Sequence, residues 1–282
     1  MRFVLLLTVI FFLTFIVRQT VAADNFFRNT PLKPVYDALI NKHPQLAYRE
    51  FYSALLKQGR GNAIEKHCGL VGIEILRQTR CGRDTVYADV NIPPLKVVLA
   101  ARSNPRQQYV YQVLIEAEHS EHPTTFTLKD AKDQLWFSGT LPTSASPVIL
   151  ASPEWFAPLP SGFYTLTLNK KKQYLLFVLP CNVRDWLDPW SSKGIVHLKL
   201  PDHLEGCPPV TVFQRWFGKD FATIGVPVPI KTDQDFLLPE KYPASAAGLG
   251  LSASFYYFQG GVEIELRQQI SIPVSWLPEQ HE

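Results

Sequence analysis

The sequence predicts a mostly β protein with an N-terminal α-helical hairpin and two antiparallel β-sandwich-like units. Apolar residues recur at helical spacing between residues 30 and 80. From Asp84 onward the period changes to two, and turn residues separate many short alternating runs. The irregular segment Cys181–Gly194 divides these runs into two blocks. Many short strands at close spacing are typical of antiparallel sandwiches.

The first 23 residues predict a secretory signal peptide. Arg2 precedes a hydrophobic stretch from Phe3 to Val17, and small residues up to Ala23 suit a cleavage site. This stretch covers 15 residues, fewer than the ~20 that a membrane-spanning helix needs. We therefore expect a periplasmic protein, exported through residues 1–23, with no membrane span after cleavage.

Residues 24–83 form the predicted helical segment. Thr30 and Pro31 suit the N-cap and the first position of one helix, and Pro44 suits the start of a second helix. Gly59-Arg-Gly61 is a helix-ending signal. Two helices joined by a short turn predict the hairpin.

A third helix is expected over Asn62–Arg80, but the residues also fit another structure. Gly69 and Gly72 each cost a helix about 1 kcal/mol relative to alanine. Val71–Ile75 alternates between apolar and other residues, as a strand does.

Residues 84–180 are predicted to be the first β-sandwich-like domain, residues 181–194 an irregular linker and residues 195–282 a second β-rich domain. In the second domain, 239–250 has the composition of a flexible loop. Gln259-Gly-Gly261 indicates a closing hairpin, followed by the expected strands 262–267 and 270–274. The sequence leaves open whether the two β units form one domain or two.

The four cysteines favour two disulfides in an exported chain, with three possible connectivities. If Asn62–Arg80 is helical, Cys68 and Cys81 lie about 20 Å apart at about 1.5 Å per residue, too far for a bridge of at most about 7 Å. We therefore favour Cys81 with Cys207 and Cys68 with Cys181.

Several short segments resemble a family of exported proteins from vibrios and related gamma-proteobacteria that carries a domain of unknown function. They are Thr79-Arg-Cys-Gly82, Cys207-Pro-Pro209, Gln214-Arg-Trp-Phe217 and the closing hairpin. The resemblance implies a periplasmic location. It also implies a link to envelope-stress sensing, because members are associated with genes for a sensor kinase and a response regulator. It supplies no catalytic residues.

The sequence contains no recognisable catalytic motif, so we expect a protein that is not an enzyme and needs no cofactor. Gly250–Ser254 approaches the GxSxG pattern of serine hydrolases but lacks its second glycine. Without Arg2 and Arg18 the formal charge falls from +3 to +1, and no basic stripe suits nucleic acid.

One stretch concentrates metal-ligand residue types. Glu118, His119 and His122 lie within Glu116–His122, and zinc needs three or four such ligands converging on one point. On a strand, however, Glu118 and His119 point to opposite faces, which favours a solvated strand end over a metal site. The weak alternative is a metal-dependent hydrolase.

The linker offers a candidate ligand or partner surface made of Trp186, Trp190, Asp185 and Asp188. Exposed tryptophans beside carboxylates suit a sugar, whereas buried ones would fill the junction between the β units. We predict a non-catalytic periplasmic interaction protein, an accessory of an envelope-stress or two-component sensing system. Its expected partner is an envelope protein, such as the periplasmic domain of a sensor kinase. The main alternative is a module that binds glycan or peptidoglycan.

Overall fold

The computed structural model describes residues 30–58, 62–85, 94–103, 108–118, 122–170, 172–179 and 183–278. The predicted signal peptide, residues 1–23, lies outside these ranges. The chain divides into two compact units, Met1–Gln58 and Gly59–Glu282. The protein is mostly β, and the described α-helices all precede the first described strand.

The first unit contains helices α1 (Lys33–Ile40) and α2 (Pro44–Gln58), which pack against each other. The predicted cap at Thr30 is wrong, because α1 begins at Lys33 after Leu32, without a side-chain cap. Thr30 instead accepts the Lys33 N–H in the preceding turn, at 3.0 Å.

Helix α3 (Asn62–Gln78) belongs to the second unit, so the predicted helical segment is divided between the two units. Gly72 does not break this helix. A Cβ atom at Gly72 would overlap Phe177 and Leu179, so the missing side chain lets α3 lie close to that segment. The cost of a glycine in the helix is offset by this close packing.

A curled, mixed seven-stranded sheet forms the largest layer of the second unit. Its strands, in spatial order, are β11 (Thr223–Ile230), β10 (Thr211–Phe217), β13 (Gly248–Gln259), β14 (Val262–Pro273), β1 (Leu95–Ser103), β2 (Tyr109–Ala117) and β5 (Val148–Ala151). Strands β1 and β14 are parallel over their whole register, from Leu95 opposite Val262 to Ser103 opposite Ile270. The other neighbouring pairs in this sheet are antiparallel.

Two smaller sheets complete the described strands. An antiparallel four-stranded sheet has the order β4-β3-β6-β7. Its strands are β3 (Thr124–Asp130), β4 (Leu135–Leu141), β6 (Gly162–Leu168) and β7 (Lys172–Val178). A three-stranded sheet has the order β12-β9-β8, with strands β8 (Leu187–Asp188), β9 (Ile195–Leu198) and β12 (Phe236–Leu237).

The prediction of two successive β units, 84–180 and 195–282, is wrong in its pairing. The seven-stranded sheet takes β1, β2 and β5 from the first block and β10, β11, β13 and β14 from the second. Local periodicity identifies strands but not their distant partners, so the parallel pairing of β1 with β14 was not visible. The segment 181–194 is therefore not a boundary between sheets.

Two buried amides join the layers. Gln268 on β14 accepts the Leu187 N–H at 2.8 Å and donates to the Arg184 carbonyl at 2.8 Å. Gln259 accepts the Phe177 N–H at 2.6 Å and donates to the Phe177 carbonyl at 2.9 Å. The expected break between residues 267 and 270 does not occur, because the polar side chain of Gln268 has partners inside the core.

A disulfide joins Cys81, after α3, to Cys207, before β10, with Cα atoms 4.7 Å apart. This is one of the two pairings favoured from the sequence. Nearby, the Phe258 N–H donates to the Cys81 carbonyl at 2.9 Å, which connects the end of α3 to the hairpin of β13 and β14. The other favoured pairing, of Cys68 with Cys181, stays a prediction, because Cys181 lies outside the described residues.

Candidate functional site

A groove of about 780 Å³ lies along the curled sheet, on the face opposite the buried core. On β13, the core-facing positions carry Leu249, Leu251 and Ala253, all buried. The alternate positions carry small residues and line the groove: Gly248, Gly250, Ser252 and Ser254. Because side chains alternate between faces, one strand supplies both a solid core and an open floor.

Aromatic and aliphatic side chains line the groove beside this floor. Phe213 and Phe217 lie on β10, and Ile149 lies on β5. Phe221 is 84% exposed and Phe213 is 38% exposed. A Cβ atom at Gly250 would overlap Phe217, so glycine is needed for the ring to lie over the floor. Such exposed apolar side chains around a concavity are typical of a binding surface.

A buried ion pair occupies the floor of the groove. Arg267 binds both oxygens of Glu265, with Nε to Oε1 at 2.5 Å and a second nitrogen to Oε2 at 2.7 Å. Glu265 is 1% exposed and also accepts the Ser254 hydroxyl at 2.6 Å. Lys96 lies 3.6 Å from Glu265, and Glu116 lies 3.3 Å from Arg267.

Burial opposes the charge of Glu265, but its partners outweigh this effect. The hydrogen bonds and the positive charge of Arg267, with smaller contributions from Ser254 and Lys96, hold the pKa of Glu265 below its usual value. Burial also opposes the charge of Arg267, yet Glu265 and Glu116 raise its pKa. Both side chains are therefore ionised, and because their charges compensate each other the pair offers little net charge to a ligand.

Arg215 supplies a positive charge that, unlike the charge of Arg267, is on the surface of the protein. It lies on β10 opposite Gly250, is exposed, and lines the groove. Arg102, another lining cation, is bound to Glu154 at 2.6 Å. Of the lining residues, three arginines (102, 215 and 267) and two glutamates (116 and 265) give a formal charge of +3 − 2 = +1. The groove thus suits an apolar ligand that carries a negative group.

The predicted surface around residues 185–190 does not form a stacking platform. Trp186 is 5% exposed, so its ring belongs to the core. Trp190 is half-buried and contacts Trp276 edge to face, with ring centroids 5.0 Å apart. Asp185 is exposed beside Arg184, at 3.5 Å. Both tryptophans therefore pack against other parts of the protein and do not present open ring faces side by side.

Asp188 has a structural role, because it bonds to neighbouring residues of the protein. It accepts the Trp190 N–H at 3.1 Å, binds the Ser191 hydroxyl and pairs with Lys199 at 2.9 Å. Burial alone would raise its pKa, but the hydrogen bonds from Ser191, Lys199 and the Trp190 N–H lower it to about 2. Asp188 therefore fixes the turn that follows β8.

The metal alternative gains no support from the described residues. Glu118 and His122 are both exposed, and His119 lies outside the described ranges. Within those ranges, no group of three His, Cys, Asp or Glu side chains could hold a metal ion.

A polar relay in the three-stranded sheet was missed by the sequence analysis. His197 Nδ1 lies 2.7 Å from Asp235 Oδ2, and His197 Nε2 lies 2.9 Å from Ser192 Oγ. Asp235 also accepts the Leu198 N–H at 3.0 Å; this bond and His197 lower the pKa of Asp235. His197 and Asp235 are 38 residues apart, and no known spacing connects them.

The fold defines a mostly β protein built around a curled mixed sheet. The chain belongs to the family described as protein of unknown function (DUF2861), whose model matches residues 26–275. No curated protein matches the chain. One similar solved structure is a biofilm-associated protein, BSP domain, at 13% identity and a TM-score of 0.21, covering 73% of this chain and 36% of that chain. The chain thus spans about a third of that structure's length.

No helix among the described residues has both the length and the apolar composition required to cross a membrane.

Proposed function

We propose that this chain is a periplasmic interaction protein whose groove binds, without catalysis, an apolar, acidic polypeptide segment of an envelope protein. The carrying observation is the groove itself, with its Gly and Ser floor, exposed aromatic wall and the outward charge of Arg215. The proposed partner is an extracytoplasmic segment of a sensor kinase, and the proposed role is that of an accessory in envelope-stress sensing.

The dimensions suit an extended segment. Ser271, which lies beside Gly250 in the sheet, follows Glu265 by six positions along β14. At about 3.3 Å per residue this distance is roughly 20 Å, the length of an extended segment of about six residues. Apolar side chains of the segment would contact Phe213, Phe221 and Ile149.

The charges that line the groove determine which kind of peptide segment can bind there. Glu265 and Arg267 satisfy each other, whereas Arg215 is exposed on the wall. A carboxylate bound to Arg215 makes a charge-assisted hydrogen bond of about 1.5–3 kcal/mol, and partial exposure favours the lower value. We therefore expect an Asp or Glu in the segment, next to apolar residues.

The test uses purified protein and an array of peptides tiled across the periplasmic domains of the same organism's sensor kinases. We expect acidic, apolar peptides to bind, with affinity falling about tenfold in Arg215→Gln. Lys231→Gln removes an exposed charge that does not line the groove and should leave affinity unchanged. Ser252→Trp should fill the floor and abolish binding.

Peptides that bind equally well to Ser252→Trp would overturn the groove as the site. Binding of soluble peptidoglycan fragments, lost in Ser252→Trp while no peptide binds, would support a glycan module and overturn the polypeptide ligand.

A further inference from the structure

The three-stranded sheet brings together a serine, a histidine and an aspartate from three separate segments. Ser192 lies in the loop between β8 and β9, His197 lies on β9, and Asp235 immediately precedes β12. Leu198 pairs with Leu187 on β8, while Val196 pairs with Phe236 on β12. Because the strands fix both neighbours of His197, the histidine at the centre of the group is positioned by regular structure.

The hydrogen bonds determine where the protons lie. An ionised carboxylate only accepts, so His197 Nδ1 carries the proton that is shared with Asp235 at 2.7 Å. In the neutral imidazole, Nε2 is then the acceptor, and the Ser192 hydroxyl, 2.9 Å away, is its donor. The second oxygen of Asp235 accepts the Leu198 N–H, which fixes the carboxylate plane. This order of nucleophile, base and orienting acid is the one that activates a serine.

The loop that carries Ser192 is also held in place. Asp188 binds the backbone N–H groups of Trp190 and Ser191 at 3.1 and 3.3 Å. Gly194 has φ +79°, a backbone conformation that favours glycine, and its carbonyl accepts the Leu238 N–H at 2.9 Å. The serine therefore meets His197 across a turn anchored at both ends.

We propose that Ser192, His197 and Asp235 form a surface acyl-transfer site that hydrolyses carboxylic esters with a small acyl group. This activity goes beyond the proposed binding role, and none of the three residues lines the groove. The site is partly open, with His197 at 29% and Asp235 at 47% side-chain exposure. Such an open site can admit an ester on a large carrier but cannot enclose a long acyl chain.

The reaction balances without a cofactor. Ser192 Oγ bonds to the ester carbonyl carbon while its proton moves to His197 Nε2 and the carbonyl electrons move to oxygen. Collapse of this intermediate breaks the bond to the alkoxy oxygen, which takes the proton from His197. Water, deprotonated by His197, then attacks the acyl-serine, and the proton returns to Ser192 as the carboxylic acid leaves. The Lys193 N–H follows the nucleophile directly, the position that donates to the oxyanion in many serine hydrolases.

The test combines covalent labelling with kinetics on the full chain. A fluorophosphonate probe should add to one residue, identified as Ser192 by peptide mass mapping, and p-nitrophenyl acetate should be hydrolysed. Ser192→Ala should abolish labelling and lower kcat/KM at least 100-fold, and His197→Gln should do the same. Ser146→Ala is the matched control, since Ser146 is an exposed serine outside the relay and its loop, and it should stay within twofold of wild type.

Two results would overturn the assignment. One is the absence of labelling in a wild-type protein whose tryptophan fluorescence shows it to be folded. The other is hydrolysis that persists in Ser192→Ala but is lost in His197→Gln, because it would show direct attack by the imidazole. Failure here leaves peptide binding in the groove intact, so the two proposals are tested separately.

Discussion

Replacing Arg267 with methionine would remove the main partner of a buried carboxylate. Glu265 is 1% exposed and would keep only the Ser254 hydroxyl at 2.6 Å and Lys96 at 3.6 Å. Removing one partner of a buried ion pair lowers the free energy of unfolding by about 3–5 kcal/mol. Because Glu265 keeps two partners, we expect a cost at the lower end, about 3 kcal/mol. The cause is the desolvated charge that remains, not the loss of an attractive pair as such.

Urea unfolding followed by tryptophan fluorescence measures this cost in the second unit alone, because all six tryptophans lie after residue 58. With a slope of about 3 kcal/mol/M, the midpoint of Arg267→Met should fall by about 1 M. Arg77→Met is the control, since its partner Glu74 is on the surface of α3, and it should cost less than about 0.5 kcal/mol.

Two further measurements test the stated cause. The double variant Glu265→Gln, Arg267→Met should be more stable than Arg267→Met alone, because position 265 no longer holds a buried charge without its main partner. The cost of Arg267→Met should also shrink as the pH falls from 7 towards 4.5. In the variant, burial raises the pKa of Glu265 above its unfolded value, so the folded state gains protons first. The reasoning would be refuted if the effects of the two substitutions on the free energy of unfolding simply added. It would also be refuted if the cost of Arg267→Met did not change with pH.

Two other predictions concern stability. Replacing Cys81 and Cys207 together by alanine removes a bridge across a 126-residue separation and should lower the free energy of unfolding by about 3–5 kcal/mol. Urea unfolding of the oxidised protein measures the loss, and wild type in dithiothreitol should lose at least as much stability as the variant; equal stability of all three would contradict the prediction. Folding lowers the pKa of Asp188 from its ordinary value of 3.8 to about 2. The ionised carboxylate therefore stabilises the folded state above pH 3.8, and this stabilisation is lost as the pH falls to about 2. Thermal unfolding across this window should be less pH-dependent in Asp188→Asn, and an unchanged slope would exclude the effect.

Local elements of the fold could be predicted because their signals are local. Helix α3 follows its apolar spacing despite Gly69 and Gly72, and the closing hairpin turns at Gly260 and Gly261, both with positive φ. The pairing of the sheets could not be predicted, since the parallel register of β1 with β14 depends on a partner more than 160 residues away.

The groove left only a faint trace in the sequence. Gly248 and Gly250 resembled the end of a flexible loop, yet they begin β13 and form the floor. Glu265 and Arg267 are two residues apart, a spacing that is also found on solvated strand faces. Only the folded structure shows that Glu265 is buried. Trp186, which suggested a sugar surface, is in the core.

The parallel pairing of β1 with β14 also determines how early in synthesis β1 can be paired on both sides. Leu95 cannot meet Val262 until 262 − 95 = 167 further residues have been made. At about 5–20 residues per second, this wait is roughly 10–30 s. The hairpin of β1 and β2 can form at once, but one edge of β1, rich in valine and alanine, stays unpaired meanwhile. A chain in which β14 is still missing therefore keeps an unpaired strand edge on β1, which can pair with another chain.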